Sequence, residues 1–389
     1  MSFPSPLSQP HPGTPALIPP PAVSPPALPV GPRRDGHGLI WIAAVLVLVL
    51  VGLVGYFLTF IGPAASIVGM LLALIPLAIV LLGIRLADRW EPEPRGLVAF
   101  ALAWGAVAAV AIALLVDLAL QLVLRPQSSS AQEFLSAVVQ APVVEELAKG
   151  LGVLLLFVLA RRSFDGPVDG VVYGALIGAG FAFTENIQYF AISLLEGGVE
   201  QTTITFFVRG LLSPFAHVMF TSATGFAVGL AARRGASGGH ASGPWLLGLG
   251  GAIALHALWN GSATVGDFFA LYVTLQVPLF IGFVLGVAVL RGEERRLTAA
   301  RLGDYAAAGW FTPQEVTMLA TPAGRRAALA WARTLRGDRT SVMKGFIEDA
   351  TALAMTRQRA LSGRDPHAAQ DERAHLERAV AARAALLAP

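Results

Sequence analysis

The sequence predicts an all-α, polytopic membrane protein with about eight transmembrane helices, both termini cytoplasmic, and a small helical domain at its C-terminal end. Three observations predict it. Of the 389 residues, 55% are hydrophobic and only 14% charged, where soluble domains carry about 25% charged residues, and the mean hydropathy is +0.64. The apolar residues gather into eight segments that reach or approach the roughly 20 needed to cross a bilayer as helix. Arginines then recur in alternate loops between those segments, the pattern of loops on the cytoplasmic side. A plain soluble enzyme is excluded, and the formal charge of +3 reports topology and gives no sign of nucleic acid as a partner.

The elements follow in order. Residues 1–38 form a proline-rich leader, with 12 of the 26 prolines in the first 36 residues, a composition that favours an extended, unpacked chain. A cleavable signal peptide is not expected, because the first apolar stretch starts only at Leu39 and is long enough to span. The spans are predicted at 39–61, 66–86, 97–124, 134–160, 168–190, 205–232, 245–262 and 268–290. Arg33 and Arg34 precede the first. Arg85, Arg89 and Arg95 follow the second, Arg161 and Arg162 the fourth, Arg233 and Arg234 the sixth, and Arg291, Arg295 and Arg296 the eighth. The intervening loops offer only Arg125, Glu196, Glu200 and Asp267. The membrane domain is thus 39–290, and 291–389 is a charged cytoplasmic tail that reads as helices. Thr312-Pro313-Gln314-Glu315 is a capping box with proline at the first helical position. Further helices are expected from Ser341 towards Leu361 and from Asp371 to Leu387.

The first three spans and the last are cleanly apolar apart from Asp117, for which pairing with a neighbouring helix is expected. The middle four hold Glu145, Glu146, Lys149, Glu185, Asn186, His217, His256 and Asn260. A charge at the centre of a spanning helix costs about 2.5 to 3.5 kcal/mol, so these groups need partners or a function. The chain has only two asparagines and two lysines, and both asparagines and Lys149 lie at membrane depth. Lys149 stands three and four residues beyond the two adjacent glutamates and neighbours both on the helix surface. One ammonium neutralises one carboxylate and leaves the other with a raised pKa or free to act as a base. Phe181 and Glu185 share a face, as do His256 and Asn260. Gly170, Gly174 and Gly178 form a small-residue ridge for close helix packing, and Gly225 and Gly229 offer the same on span 6. With the predicted topology, Glu145 lies about 11 residues, roughly 16 Å, from the outer end of its span. His217 is expected near mid-span. The cluster belongs to the outer half of the membrane, where a water-filled cavity open to the outside could reach it.

In order, Glu145-Glu146-x-x-Lys149, Phe181-x-x-x-Glu185-Asn186, an isolated His217 and His256-x-x-x-Asn260 resemble the motif series of the PrsW-type intramembrane proteases, which are related to the type II CAAX prenyl proteases within the glutamic intramembrane protease group. The matching part is 134–262, one third of the chain. Lys149 and Glu185 stand where the prenyl proteases have arginine and histidine motifs, which favours the PrsW branch. The resemblance implies an intramembrane endopeptidase of the bacterial plasma membrane that cuts a single-span membrane protein, such as an anti-sigma factor, near its extracytoplasmic face. It implies Glu145 as base, Glu146 and Lys149 as groups that tune it, and Glu185 beside the water. His256 and Asn260 would offer donors to the oxyanion, and His217 would complete the pocket or protonate the leaving amine. No cofactor is implied by this chemistry; zinc held by Glu145, Glu185, His217 and His256 is a minority mechanism.

Other readings fit less well. The chain lacks cysteine, so thiol nucleophiles and thiolate metal sites are absent. No His-Glu-x-x-His occurs, nor the Gly-x-Gly-Asp of aspartyl intramembrane proteases. Gly235-Ala236-Ser237-Gly238 matches a rhomboid-like motif by letters but sits in a polar loop and reads as a linker. Asp169 is expected to cap span 5, and the Asn-Gly-Ser sequon at Asn260 has no meaning inside a membrane. An ion- or proton-coupled transporter using Glu145 and Glu185 would call for an internal repeat, and none is evident. The remaining alternative is a noncatalytic membrane scaffold that keeps the polar cluster for helix packing.

Overall fold

The computed structural model describes residues 37–124, 129–160, 162–236, 238–264, 267–363 and 365–388. The leader up to residue 36, Arg33, Arg34, Arg125, Arg161 and Ser237 lie outside the described residues. The described residues hold helices and no strand, and they divide into two compact units, one of residues 46–292 and one that groups 37–45 with 293–388.

The first unit takes in α1 (His37–Tyr56) from residue 46 on, which continues through a wide π-type turn at Phe57–Ile61, and α2 (Pro63–Ala87). A single helical stretch follows from α3 (Arg95–Ala103) through a wide turn at Trp104–Ala109 into α4 (Val110–Leu124). The next joins α5 (Ser130–Leu135), a wide turn at Ser136–Gln140 and α6 (Ala141–Leu159). Then come α7 (Pro167–Thr205) with its wide turn Phe206–Leu212, α8 (Ala216–Arg233) and α9 (Ser242–Thr264). The last stretch joins α10 (Phe268–Leu271), a wide turn at Tyr272–Gln276 and α11 (Val277–Ala307). Six stretches among the described residues are long and apolar enough to cross a membrane; the protein is an all-α polytopic membrane protein. That number differs from the eight segments read in the sequence for two reasons. The stretch Pro167–Arg233 contains two of the predicted segments, and α6 is set apart by Glu145, Glu146 and Lys149 in its middle.

Two predicted segments have different bounds. Span 5 does not stop at 190, because α7 runs on to a break at Gly198, whose φ of 62° and ψ of −152° suit glycine alone. Beyond the break the chain comes back along α7, and the Phe206 ring lies 5.6 Å from that of Phe190. Span 6 is also not continuous. It is interrupted at Ser213–Phe215, so the returning arm and α8 are separate helical pieces.

α7 is the central helix: residues 167–181 are all buried. Its glycines explain why. A Cβ on Gly170 would stand 2.0 Å from the carbonyl oxygen of Gly225, and one on Gly225 would stand 1.9 Å from that of Gly170. The two small-residue ridges are therefore the two sides of one interface, α7 against α8, at which backbones touch. A second notch sets Gly105 against the carbonyl of Ile177 and Gly180 against that of Leu102. Phe157, Phe164, Tyr173, Leu176 and Ile177 fill the core around these contacts. At the start of α7, Asp169 accepts hydrogen bonds from the backbone N–H groups of Asp165 (2.9 Å) and Gly166 (2.7 Å), which satisfies otherwise orphaned donors and makes the expected cap. Asp117 accepts from Gln140 of the neighbouring stretch at 3.0 Å and from Gln121 at 2.7 Å, the interhelical pairing expected of it.

The α2–α3 loop carries acids. Asp88 accepts from the backbone N–H of Glu93 at 3.1 Å, and Glu93 accepts from the Tyr173 hydroxyl. Burial pushes the Asp88 carboxyl up to about 6, and burial, followed by the nearby Asp169 charge, raises Glu93 well above the ordinary carboxylate range. An acid whose folded pKa exceeds its unfolded one keeps its proton in the fold after the unfolded chain has released it. Stability is therefore expected to fall as pH rises from about 4 to about 6 through Asp88. Asp88→Asn should reduce the slope in that window, leaving the part due to Glu93, in pH-dependent thermal melts of the detergent-solubilised protein, and an unchanged slope would contradict the assignment.

The second unit packs α12 (Pro313–Ala320), α13 (Pro322–Thr334), α14 (Thr340–Ser362) and α15 (Ala368–Leu387) with the end of α11. Its core contains Leu302, Tyr305, Phe311, Phe346, Leu353 and Leu376. The predicted capping box forms: Thr312 Oγ1 accepts from the Glu315 N–H at 3.2 Å, and Glu315 accepts from the Thr312 N–H at 2.8 Å. The helices expected from Ser341 and Asp371 correspond to α14 and α15. The buried Glu372 carboxylate accepts from the Tyr305 hydroxyl and lies 3.6 Å from Arg357.

Candidate active site

α6 carries the centre of the site, and two tryptophans fix it. Trp104 Nε1 donates to the carbonyl of Ala148 at 3.0 Å, and Trp245 Nε1 donates to that of Gly150 at 2.7 Å. The turn bearing Lys149 is thereby held from both sides. Trp104 also lies against Gly152, where a Cβ would come within 2.3 Å of its ring.

Lys149 is fully buried and donates in three directions: to Glu146 Oε1 at 2.8 Å, to Glu145 Oε2 at 3.2 Å and to His217 Nδ1 at 3.0 Å. Its ammonium also lies 3.8 Å from the centre of the Phe181 ring, a cation–π contact. An ammonium has only donors, so His217 Nδ1 is the acceptor and the proton of that ring sits on Nε2. From there it is directed at Glu185 Oε2, 2.9 Å away.

The adjacent glutamates are treated differently. Glu146 is fully buried and accepts from Lys149 and from His256 Nδ1 (3.1 Å) on one oxygen, and from the Thr221 hydroxyl (3.0 Å) on the other. Glu145 keeps 14% of its side chain accessible and accepts from Lys149 alone, with His256 Nε2 at 3.9 Å. His256 uses Nδ1 towards the Glu146 carboxylate, and its Nε2 faces Glu145.

Glu145, Glu146, Lys149, Glu185, His217 and His256 join one continuous network. His217 stands at the start of α8, just after the interruption, and not at the middle of an unbroken span. Gly178 lets its backbone approach, because a Cβ there would lie 2.4 Å from the His217 carbonyl oxygen, and the Phe181 and Phe220 rings flank its imidazole. Asn260 is turned elsewhere: its amide donates to the carbonyl of Ala137 at 2.8 Å and ties α9 to the turn before α6. Asn186 accepts from Arg209 Nε at 2.9 Å. Sequence reasoning missed Thr221 and Arg209. A threonine in a helix gives no signal, but an arginine within an apolar stretch is itself the signal.

Glu145, His217 and His256 offer a carboxylate and two imidazoles whose ligand atoms lie within 4.8 Å of one another, a donor set of the zinc type. The arrangement does not fit a cation as it stands. Both His217 nitrogens are engaged, and the Lys149 ammonium already occupies the space beside Glu145 and His217.

Fold and site together define a polytopic helical membrane protein with an acid, lysine and histidine network inside its bundle. The family model described as "PrsW family intramembrane metalloprotease" matches residues 93–287, just over half of the chain. The chain belongs to the PrsW family. It is 34% identical over 146 residues to the Protease PrsW of Geobacillus kaustophilus (strain HTA426), covering 38% of this chain and 59% of the relative. To the Protease PrsW of Bacillus subtilis (strain 168) it is 32% identical over 146 residues, 38% of this chain and 61% of the relative. To that of Clostridioides difficile (strain 630) it is 34% identical over 161 residues, 40% and 63%. The chain thus spans about three fifths of the length of the curated relatives it matches. No solved structure matches it.

Proposed function

We propose that the chain is an intramembrane endopeptidase that hydrolyses a peptide bond of a membrane-protein substrate with water activated by Glu145. The observation that carries this reading is the unequal treatment of the two adjacent acids. Glu146 is saturated by three donors, whereas Glu145 is partly accessible and has one oxygen with no hydrogen bond. The network also sets three carboxylates, Glu145, Glu146 and Glu185, against two fixed cations, Lys149 and Arg209. One negative charge is in surplus, and it falls on the acid with the fewest donors, which makes Glu145 the base.

A water molecule between Glu145 and His256 Nε2 would donate to Glu145. Glu145 takes its proton, the hydroxide forms a bond to the peptide carbonyl carbon, and the proton passes to the leaving amine as the C–N bond breaks. Glu146 holds Lys149 and His256 in place. The relatives named Protease PrsW support this class of reaction. The substrate is a single-span membrane protein, of the anti-sigma-factor kind that the family resemblance implies, cut near its extracytoplasmic face. The setting is a bacterial plasma membrane with both termini cytoplasmic. No metal takes part in this reading.

The test uses purified protein in proteoliposomes with a single-span substrate. Glu145→Gln is expected to lower the cleavage rate by about 10²- to 10⁴-fold, the range for a positioned general base, and chelation is expected to change nothing. Retained cleavage by Glu145→Gln would overturn the assigned base. Loss of wild-type cleavage on chelation, with recovery on adding zinc, would overturn the metal-free mechanism in favour of a metal on Glu145, His217 and His256.

A further inference from the structure

The arm between Gly198 and Ser213 runs back along α7 and carries one charged group into the network. Arg209 Nη2 pairs with Glu185 Oε2, Arg209 Nε donates to Asn186 Oδ1 at 2.9 Å, and the guanidinium lies 3.8 Å from the centre of the Tyr189 ring. Three partners within about one turn of α7, Glu185, Asn186 and Tyr189, are thus engaged by one planar group. Lysine, a point charge with no planar face, cannot reproduce that set of contacts. Glu185 Oε2 is also the atom facing His217 Nε2, so the oxygen that Arg209 holds is the one that accepts the Nε2–H of His217 and fixes the orientation of its ring. The chain of contacts runs Arg209, Glu185, His217, Lys149, Glu145. We infer that Arg209 is a positioning residue of the active site: by fixing Glu185 it holds the His217 ring oriented with its Nε2–H on Glu185 and its Nδ1 towards Lys149.

The inference rests on the protease reading above. It concerns a residue that touches neither the attacked bond nor the base. Removing Arg209 leaves Glu185 partly buried without its cation and lets the carboxylate turn away from His217. A group acting through an orienting partner in this way is worth about 10- to 100-fold in activity where metal-site analogues have been measured.

Four variants are compared with wild type in the proteoliposome assay: Arg209→Gln, Arg209→Lys, Glu185→Gln and the Arg209→Gln/Glu185→Gln pair. Arg209→Gln is expected to lower kcat about 10- to 100-fold with KM little changed. Arg209→Lys should melt like wild type yet keep a lowered kcat, because it restores charge without the fork. The double variant should be no slower than Glu185→Gln alone. Wild-type kcat in a folded Arg209→Gln or Arg209→Lys, or losses that multiply in the double variant, would overturn the inference. A second readout needs no cleavage. With ¹⁵N-labelled histidine, the imidazole signal that disappears in His217→Gln should report the Nε2–H form in wild type and a shifted Nε2 resonance in Arg209→Gln, where the hydrogen bond to Glu185 is loosened while Lys149 still donates to Nδ1. An unchanged signal overturns the role of Arg209. Failure of wild type to cut any substrate overturns the protease reading and leaves the spectroscopic test standing.

Discussion

Lys149→Met is expected to abolish cleavage and to destabilise the protein by about 3 to 5 kcal/mol, the cost of removing one partner from a buried ion pair. Lys149 is fully buried and donates to Glu145, Glu146 and His217. Without it two neighbouring carboxylates face each other in an apolar bundle, and His217 loses the donor that sets its Nδ1. Thermal unfolding in detergent, followed by tryptophan fluorescence, measures the loss. Adding Glu146→Gln to Lys149→Met removes one of the stranded charges and should recover part of the stability but none of the activity. A Lys149→Met protein that melts with wild type would show that the ammonium does not hold the cluster together.

The second large effect is expected from Gly225→Ala. A single methyl group there meets the carbonyl oxygen of Gly170 at 1.9 Å, and neither backbone can yield without parting α7 from α8. Overpacking in a rigid interior costs about 1 to 3 kcal/mol and more where no side chain can move aside. α7 carries Glu185 and α8 carries His217, so the same displacement lengthens the 2.9 Å contact between them. Cleavage should therefore be lost even in the fraction that folds. Gly250→Ala is the control, since nothing lies within 4 Å of a Cβ at that position, and its stability should stay within about 0.5 kcal/mol of wild type. Equal melting temperatures for the two variants would refute the backbone contact.

What was legible in the sequence is what local spacing determines. Glu145, Glu146 and Lys149 are neighbours by helical geometry alone, and the structure joins them. The glycine ridges announced close packing, and the capping box at Thr312 formed as read. What was not legible depends on chain reversals. Arg209 reaches a carboxylate 24 residues earlier because the helix breaks at Gly198, and nothing in the apolar run distinguishes that glycine from Gly197 beside it. The interruption before His217 was hidden for the same reason: Ser213, Pro214 and Phe215 do not lower the hydrophobicity of the stretch enough to mark an end. Asn260 shares a helix face with His256, yet its amide turns to the Ala137 carbonyl. Periodicity assigns a face, but the acceptors of the neighbouring helix within reach decide which way a side-chain amide points.

The five wide turns among the described residues, at Phe57–Ile61, Trp104–Ala109, Ser136–Gln140, Phe206–Leu212 and Tyr272–Gln276, have an evolutionary consequence. A π-type turn is an α-helical turn that has accommodated an extra residue, so losing one residue there returns the helix to regular winding without breaking it. A deletion between Glu146 and Lys149 would be a different event: each residue turns a helix by about 100°, which would carry the ammonium off the face it shares with the two acids. Chain length can therefore drift at the wide turns through gene-level insertions and deletions, while the segment between Ala141 and Lys149 is held to a fixed length even where its apolar side chains are free to change.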